Sequence, residues 1–93
     1  MATSLMPSGW DLRRIRDHSG DAAAEVLDTD RVITVEGSTE PLGAAAAFGF
    51  HDLAIVQLTG DDGWHMGSLD QTTGAIHLWA ATYDDLENAL RGL

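Results

Sequence analysis

The chain has 93 residues, 44% of them hydrophobic, a length and composition that fit one folded domain burying roughly 60–65% of its unfolded surface. It has no cysteine, which excludes a disulfide framework, a thiolate metal site and a cysteine nucleophile together and suits a reducing compartment. Fifteen Asp and Glu face five arginines and no lysine, a formal net charge of -10; such a surface argues against nucleic acid, whose binding depends on Lys and Arg displacing counterions.

The opening MATSLMPSGWDLRRIR has no basic start followed by an apolar core, so it does not read as a signal peptide. No apolar run approaches the roughly 20 residues that span a bilayer, and the expected location is the cytoplasm. GWDLRRIRDH (9–18) sets Trp10, Leu12 and Ile15 against arginines, the pattern of a short amphipathic helix ended by Ser19-Gly20. DAAAEVLD (21–28) has high helix propensity, with Asp21 placed to cap a second short helix. RVITVEG (31–37) is β-branched and closes on Gly37, which predicts a strand.

STEPLGAAAAFGF (38–50) reads as an Ala-rich helix over about residues 40–48. Ser38 or Thr39 would cap it, Glu40 and Pro41 suit its first turn, and Gly49 would stop it. DLAIVQLT (52–59) is apolar on both faces, as a central strand would be. GDDG (60–63) and QTTG (71–74) then turn the chain through WHMGSLD (64–70) and AIHLWA (75–80), a β-meander over 52–80. The chain closes on a helix over 82–92, with Thr82 as cap, Asp84 and Asp85 in the first turn, and Leu86, Ala89, Leu90 and Leu93 as one apolar stripe. The predicted fold is therefore α+β. It comprises a three- to four-stranded, mainly antiparallel sheet with short N-terminal helices, the Ala-rich helix and the C-terminal helix, in a single domain over residues 1–93.

If the flanking pairs close each loop, Asp70 opposes Ala75 and Thr59 opposes Trp64. Strand alternation then gathers Ala54, Val56, Leu58, His65, Gly67, Leu69, Ile76, Leu78 and Ala80 on one face. Leu53, Ile55, Gln57, Trp64, Met66, Ser68, His77 and Trp79 share the other. The first is a plain core face for the C-terminal helix to cover. The second is aromatic and mixed; either the N-terminal helices cover it or it lies partly open, and an open face of a few hundred Å² marks an interaction site. A one-residue change in turn pairing would move His65 beside Trp79.

Charge gives that second face a partner. From Val32 to Leu90 there is no Lys or Arg, while Glu36, Glu40, Asp52, Asp61, Asp62, Asp70, Asp84, Asp85 and Glu87 are all acidic. Such a field steers a cationic partner, and Trp and Met beside an acidic rim are what an interface hot spot contains. The binding residues expected from sequence are Trp64, Met66, His77 and Trp79, with Asp61 and Asp62 at the rim.

Catalysis and metal binding have weaker patterns. His65 and His77 could act as acid and base, or join Asp70 around a metal. On the pairing above, however, the two histidines fall on opposite faces, no serine sits in a nucleophile-elbow context, and no His spacing suits one helix face. GDDG lacks the alternating ligands and closing Glu of an EF-hand loop, and the glycines at 37, 43 and 49 lack the spacing and lysine of a phosphate loop. No cofactor is expected.

The stretch from about residue 53 to 93 resembles the closing strands and final helix of SUKH-type domains. The resemblance rests on the D-x-x-T-G hairpin at Asp70, Thr73 and Gly74, the apolar strand at Ile76 and Leu78, and the helix leucines Leu86, Leu90 and Leu93. Many members of that family are acidic immunity proteins of bacterial polymorphic toxins, so the resemblance implies a binding role. The functional expectation is an acidic cytosolic protein-binding domain. It would be an immunity- or inhibitor-like partner of a basic protein, or a homodimer through the Trp/Met strand face. The rival is a small enzyme or metal-binding domain using His65, His77 and Asp70.

Overall fold

In the computed structural model, residues 9–22, 24–35, 42–60 and 63–92 are described. The first helix forms where the apolar side of the segment predicts it: α1 spans Leu12–Ser19, with Ile15 buried. The Asp11 carboxylate caps it, accepting from the Arg14 N–H at 2.8 Å, and Gly20 closes it by donating to the Arg16 carbonyl at 2.9 Å.

Residues 21–28 do not make the expected second helix. They turn and enter the short strand β1 (Glu25–Val26). An eight-residue helix gains little from propensity because nucleation is costly, whereas the strand has a ladder partner waiting. The Leu27 N–H donates to the Ala47 carbonyl at 2.9 Å, and Ala24 and Leu27 are buried on either side of it. β2 (Ile33–Val35) follows inside the predicted strand.

The larger correction concerns the alanines. Ala44–Phe50 is a strand, β3, and not a helix. Alanine's helix preference is worth at most about 0.7 kcal/mol per residue over ordinary residues, while burying one large apolar side chain gives about 1.5–3 kcal/mol. As a strand, the segment buries both Phe48 and Phe50 on one side and sets Ala47 and Gly49 on the other. The expected cap at Ser38 or Thr39 and first turn at Glu40 and Pro41 lie outside the described residues.

β4 (Leu53–Leu58), β5 (Trp64–Leu69) and β6 (Ile76–Tyr83) continue the meander, and the closing helix α2 spans Leu86–Arg91. β6 runs past its expected end, so Thr82 pairs with His65 in the sheet and Asp85 becomes the helix cap, accepting from the Asn88 N–H at 2.8 Å. Leu86, Ala89 and Leu90 are buried as the stripe predicts; Leu93 lies outside the described residues.

The strands form one six-stranded sheet in the order β1-β3-β4-β5-β6-β2, with β2 parallel to β6 and the other pairs antiparallel. The fold is thus a mixed, mostly β structure with two short helices. It overturns the expected three- to four-stranded sheet with an Ala-rich helix. Among the described residues no helix is long and apolar enough to cross a membrane.

One hydrogen bond sets the shape of this sheet. The Leu42 N–H, on the lead-in to β3, donates to the Ile33 carbonyl of β2 at 2.7 Å. In the strand order β4, β5 and β6 lie between them, so the sheet must roll until its two sides meet. Inside the roll sit Leu27, Ile33, Ala47, Ala54, Val56, Leu69, Ile76 and Leu78. Outside, Phe48, Phe50, Ile55, Trp64 and Met66 pack with Ile15, Leu86, Ala89 and Leu90 of the two helices.

Rolling brings strands close, and Gly67 is where closeness peaks. A methyl group there would lie 2.1 Å from the His77 carbonyl oxygen and 2.6 Å from the Leu78 Cα. The ladder bulges at this point, pairing Gly67 with Leu78 but His65 with Thr82. Gly67→Ala should therefore destabilise the domain by about 3 kcal/mol or more, read as a fall in the urea midpoint. An unchanged midpoint would mean that the two strands do not approach in this way.

Candidate functional site

The described meander residues keep the faces that alternation assigns them. α1 covers the aromatic face, as one of the two expectations had it, but the C-terminal helix lies on that face too and not on the plain one. Both helices lie on the aromatic face, and the plain apolar face is closed by the roll of the sheet. Trp64 is only 4% exposed and stacks on Phe48, with ring centroids 5.9 Å apart. Met66 is buried beside it among the same helix residues. The two faces differ in side-chain shape: the stripe of α2 packs with Phe48, Phe50, Trp64 and Met66, while the aliphatic Ala47, Ala54, Val56, Ile76 and Leu78 are enclosed by the roll of the sheet. Trp64 and Met66 are core side chains.

The helices leave the β6–β2 side of this outer face bare. There His77 is exposed, with its Nδ1 3.3 Å from the Thr34 hydroxyl on β2. Two residues further along β6, Trp79 is 38% exposed. Val32, just before β2 and in step with Thr34 on the same face, is 55% exposed. Among the described residues the exposed large hydrophobics are Val26, Val32 and Trp79, so two of the three fall on this strip. At one end a groove of about 280 Å³ is lined by Thr34, Ser68, His77 and Asp70. At the other end β6 runs into the exposed Asp84 and Asp85.

Of the residues expected to bind, the structure brings His77 and Trp79 together and separates Trp64 and Met66 from them by burial. Asp61 and Asp62 lie outside the described residues. Of the rival set, His77 and Asp70 share the groove, while His65 is half-buried on the opposite side of the sheet, paired with Val56 and Thr82. Among the described residues no group of three His, Asp or Glu is placed to hold a metal. Val32 and Thr34 were missed because their place beside His77 comes from a parallel pairing 43 residues apart, which no local pattern encodes.

A second cluster was also missed. His51 occupies the two-residue turn between β3 and β4 with a φ of 58°, the left-handed region that costs an ordinary residue roughly 1–2 kcal/mol. Its Nδ1 lies 2.7 Å from the Asp21 carboxylate, and the Gln71 side-chain amide donates to its carbonyl. Asp21, read from sequence as a helix cap, instead holds this ring. Reading the preceding segment as a helix hid the turn; Phe50-His51-Asp52-Leu53 between two apolar runs was the available signal.

Asp70 organises the β5–β6 turn. Its Oδ1 accepts from the Thr72 and Thr73 N–H groups at 2.8 and 3.3 Å, and Gly74 completes the turn with a φ of 78°. The hydrogen bond from Thr72, and then that from Thr73, holds the carboxyl below the ordinary carboxylate range. A depressed folded-state value stabilises the fold above the unfolded value of about 4, and that contribution is lost as pH falls through the folded value. Asp70→Asn should accordingly be less stable than the native protein at neutral pH, and the difference should close on acidification. A gap in thermal midpoint that does not change with pH would show that the charge is not what the turn uses.

The chain matches no family model, no curated protein and no solved structure.

Proposed function

We propose that the protein is a small acidic protein-binding domain that docks a basic protein partner on the bare strip of the outer sheet face. Trp79 is the anchor, Val32, Thr34 and His77 form the floor, and Asp70, Asp84 and Asp85 are the charged ends. The observation that carries this reading is the exposure of Trp79 and Val32 on one strip, two residues to either side of the Thr34–His77 pair. Together they make two of the three exposed large hydrophobics among the described residues. A half-exposed indole is a common source of hot-spot binding energy.

Charge names the partner. Every residue of the strip comes from the stretch without Lys or Arg. Arg31 stands at its Val32 end, bonded to the Gly74 carbonyl, but Asp70, Asp84 and Asp85 outnumber it, so the field favours a cationic surface. An immunity- or inhibitor-like role against a basic protein fits this chemistry, and a chain without cysteine suits the reducing environment of the cytoplasm. A homodimer is the lesser reading: Trp64 and Met66 lie beneath the helices, which leaves Trp79 as the indole of this face available to a second copy.

The test is binding to a panel of basic proteins, with hen lysozyme and cytochrome c as first probes, followed by calorimetry across salt. Affinity should fall steeply as ionic strength rises, and Trp79→Ala should weaken binding about tenfold or more. Absence of binding across the panel, or affinity indifferent to Trp79→Ala, would overturn the proposal. A salt-insensitive dimer in light scattering would favour self-association instead.

A further inference from the structure

We propose that the groove beside His51 is a hydrolytic site for neutral or cationic carboxylic esters, with His51 as general base and Asp21 as its positioning residue. This site is independent of the docking strip. It is a groove of about 400 Å³ between the end of α1 and the β3–β4 turn, lined by Ser19, Asp21, Phe50, His51, Asp52 and Leu53.

The ring is held in the way a basic imidazole requires. Asp21 accepts from Nδ1 at 2.7 Å, which fixes the proton on that nitrogen and leaves the lone pair on Nε2. Among the described residues no group is bonded to Nε2. The two partners differ in environment: the Asp21 side chain is 17% exposed, whereas that of His51 is 72% exposed. The carboxylate is thus tucked into the fold and the imidazole faces the groove. The backbone is fixed as well, since Gln71 holds the His51 carbonyl in an otherwise unfavourable left-handed turn.

The nucleophile is water. Ser19 lines the groove, but its hydroxyl is committed within its own turn, donating to the Arg16 carbonyl at 3.3 Å and accepting from the Asp21 N–H at 3.1 Å. In the step proposed, Nε2 takes a proton from water as the water oxygen bonds to the ester carbonyl carbon. The tetrahedral intermediate then collapses, the carbon–oxygen bond to the alcohol breaks, and the proton on Nε2 passes to the leaving oxygen. Phe50 and Leu53 offer an apolar wall for the acyl or alcohol group, and the carboxylates of Asp21 and Asp52 disfavour an anionic substrate.

Hydrolysis of p-nitrophenyl acetate tests this directly. The protein should exceed an equal concentration of free imidazole by about 100-fold. His51→Asn keeps a residue that tolerates the left-handed turn and should return the rate to the imidazole level. Asp21→Asn should lower kcat about tenfold with KM unchanged, and Asp21→Glu should recover part of the loss. His18→Gln serves as the control and should be silent. A native rate no higher than that of imidazole, or a rate that survives His51→Asn, would overturn the proposal and reduce the pair to a tether for the turn. An unchanged kcat in Asp21→Asn would remove Asp21 from the account.

Discussion

β4 carries Leu53 and Ile55 on one side and Ala54, Val56 and Leu58 on the other, so neither of its faces can be left to water. Among the described residues two helices are available to cover the sheet, and both are short. The structure meets the constraint asymmetrically. The face with the aromatic residues receives both helices, and the aliphatic face is enclosed by rolling the sheet until the lead-in to β3 bonds to β2. Burial of Trp64, the alanine strand and the glycine at the β5–β6 crossing are consequences of that choice.

Short-range patterns in the sequence were faithful. The apolar side of α1, the β-branched run of β2, the Asp70–Gly74 turn and the leucines of α2 all stand where periodicity and turn chemistry place them. Alternation also assigned His65 and His77 to opposite faces. What failed was decided by non-local partners. Four consecutive alanines say helix locally, but the side of β4 away from β5 needed a strand more than alanine needed a helix. The parallel pairing of β2 with β6, which creates the strip of Val32, Thr34, His77 and Trp79, has no local signature at all. Nor does any local rule show which face a helix will choose.

The candidate sites follow from the same asymmetry. Two short helices cannot cover six strands, and the part they leave bare is the β6–β2 side, where Trp79 and Val32 stand to either side of the Thr34–His77 pair. The rolled edge and the end of α1 meet at the β3–β4 turn, where Asp21 and His51 come together from 30 residues apart. The roles proposed for these two sites differ accordingly, adhesion to a cationic surface for the first and proton transfer for the second. Both are products of tertiary packing.

Fluorescence quenching by acrylamide, on variants that each retain a single tryptophan, bears most directly on this picture. With Trp10 and Trp79 replaced by phenylalanine, Trp64 should be strongly shielded. With Trp10 and Trp64 replaced, Trp79 should be quenched several-fold more readily. Equal quenching of the two indoles, or a more accessible Trp64, would mean that the helices do not lie on the aromatic face, and the division of that face into a covered core and a bare docking strip would fail.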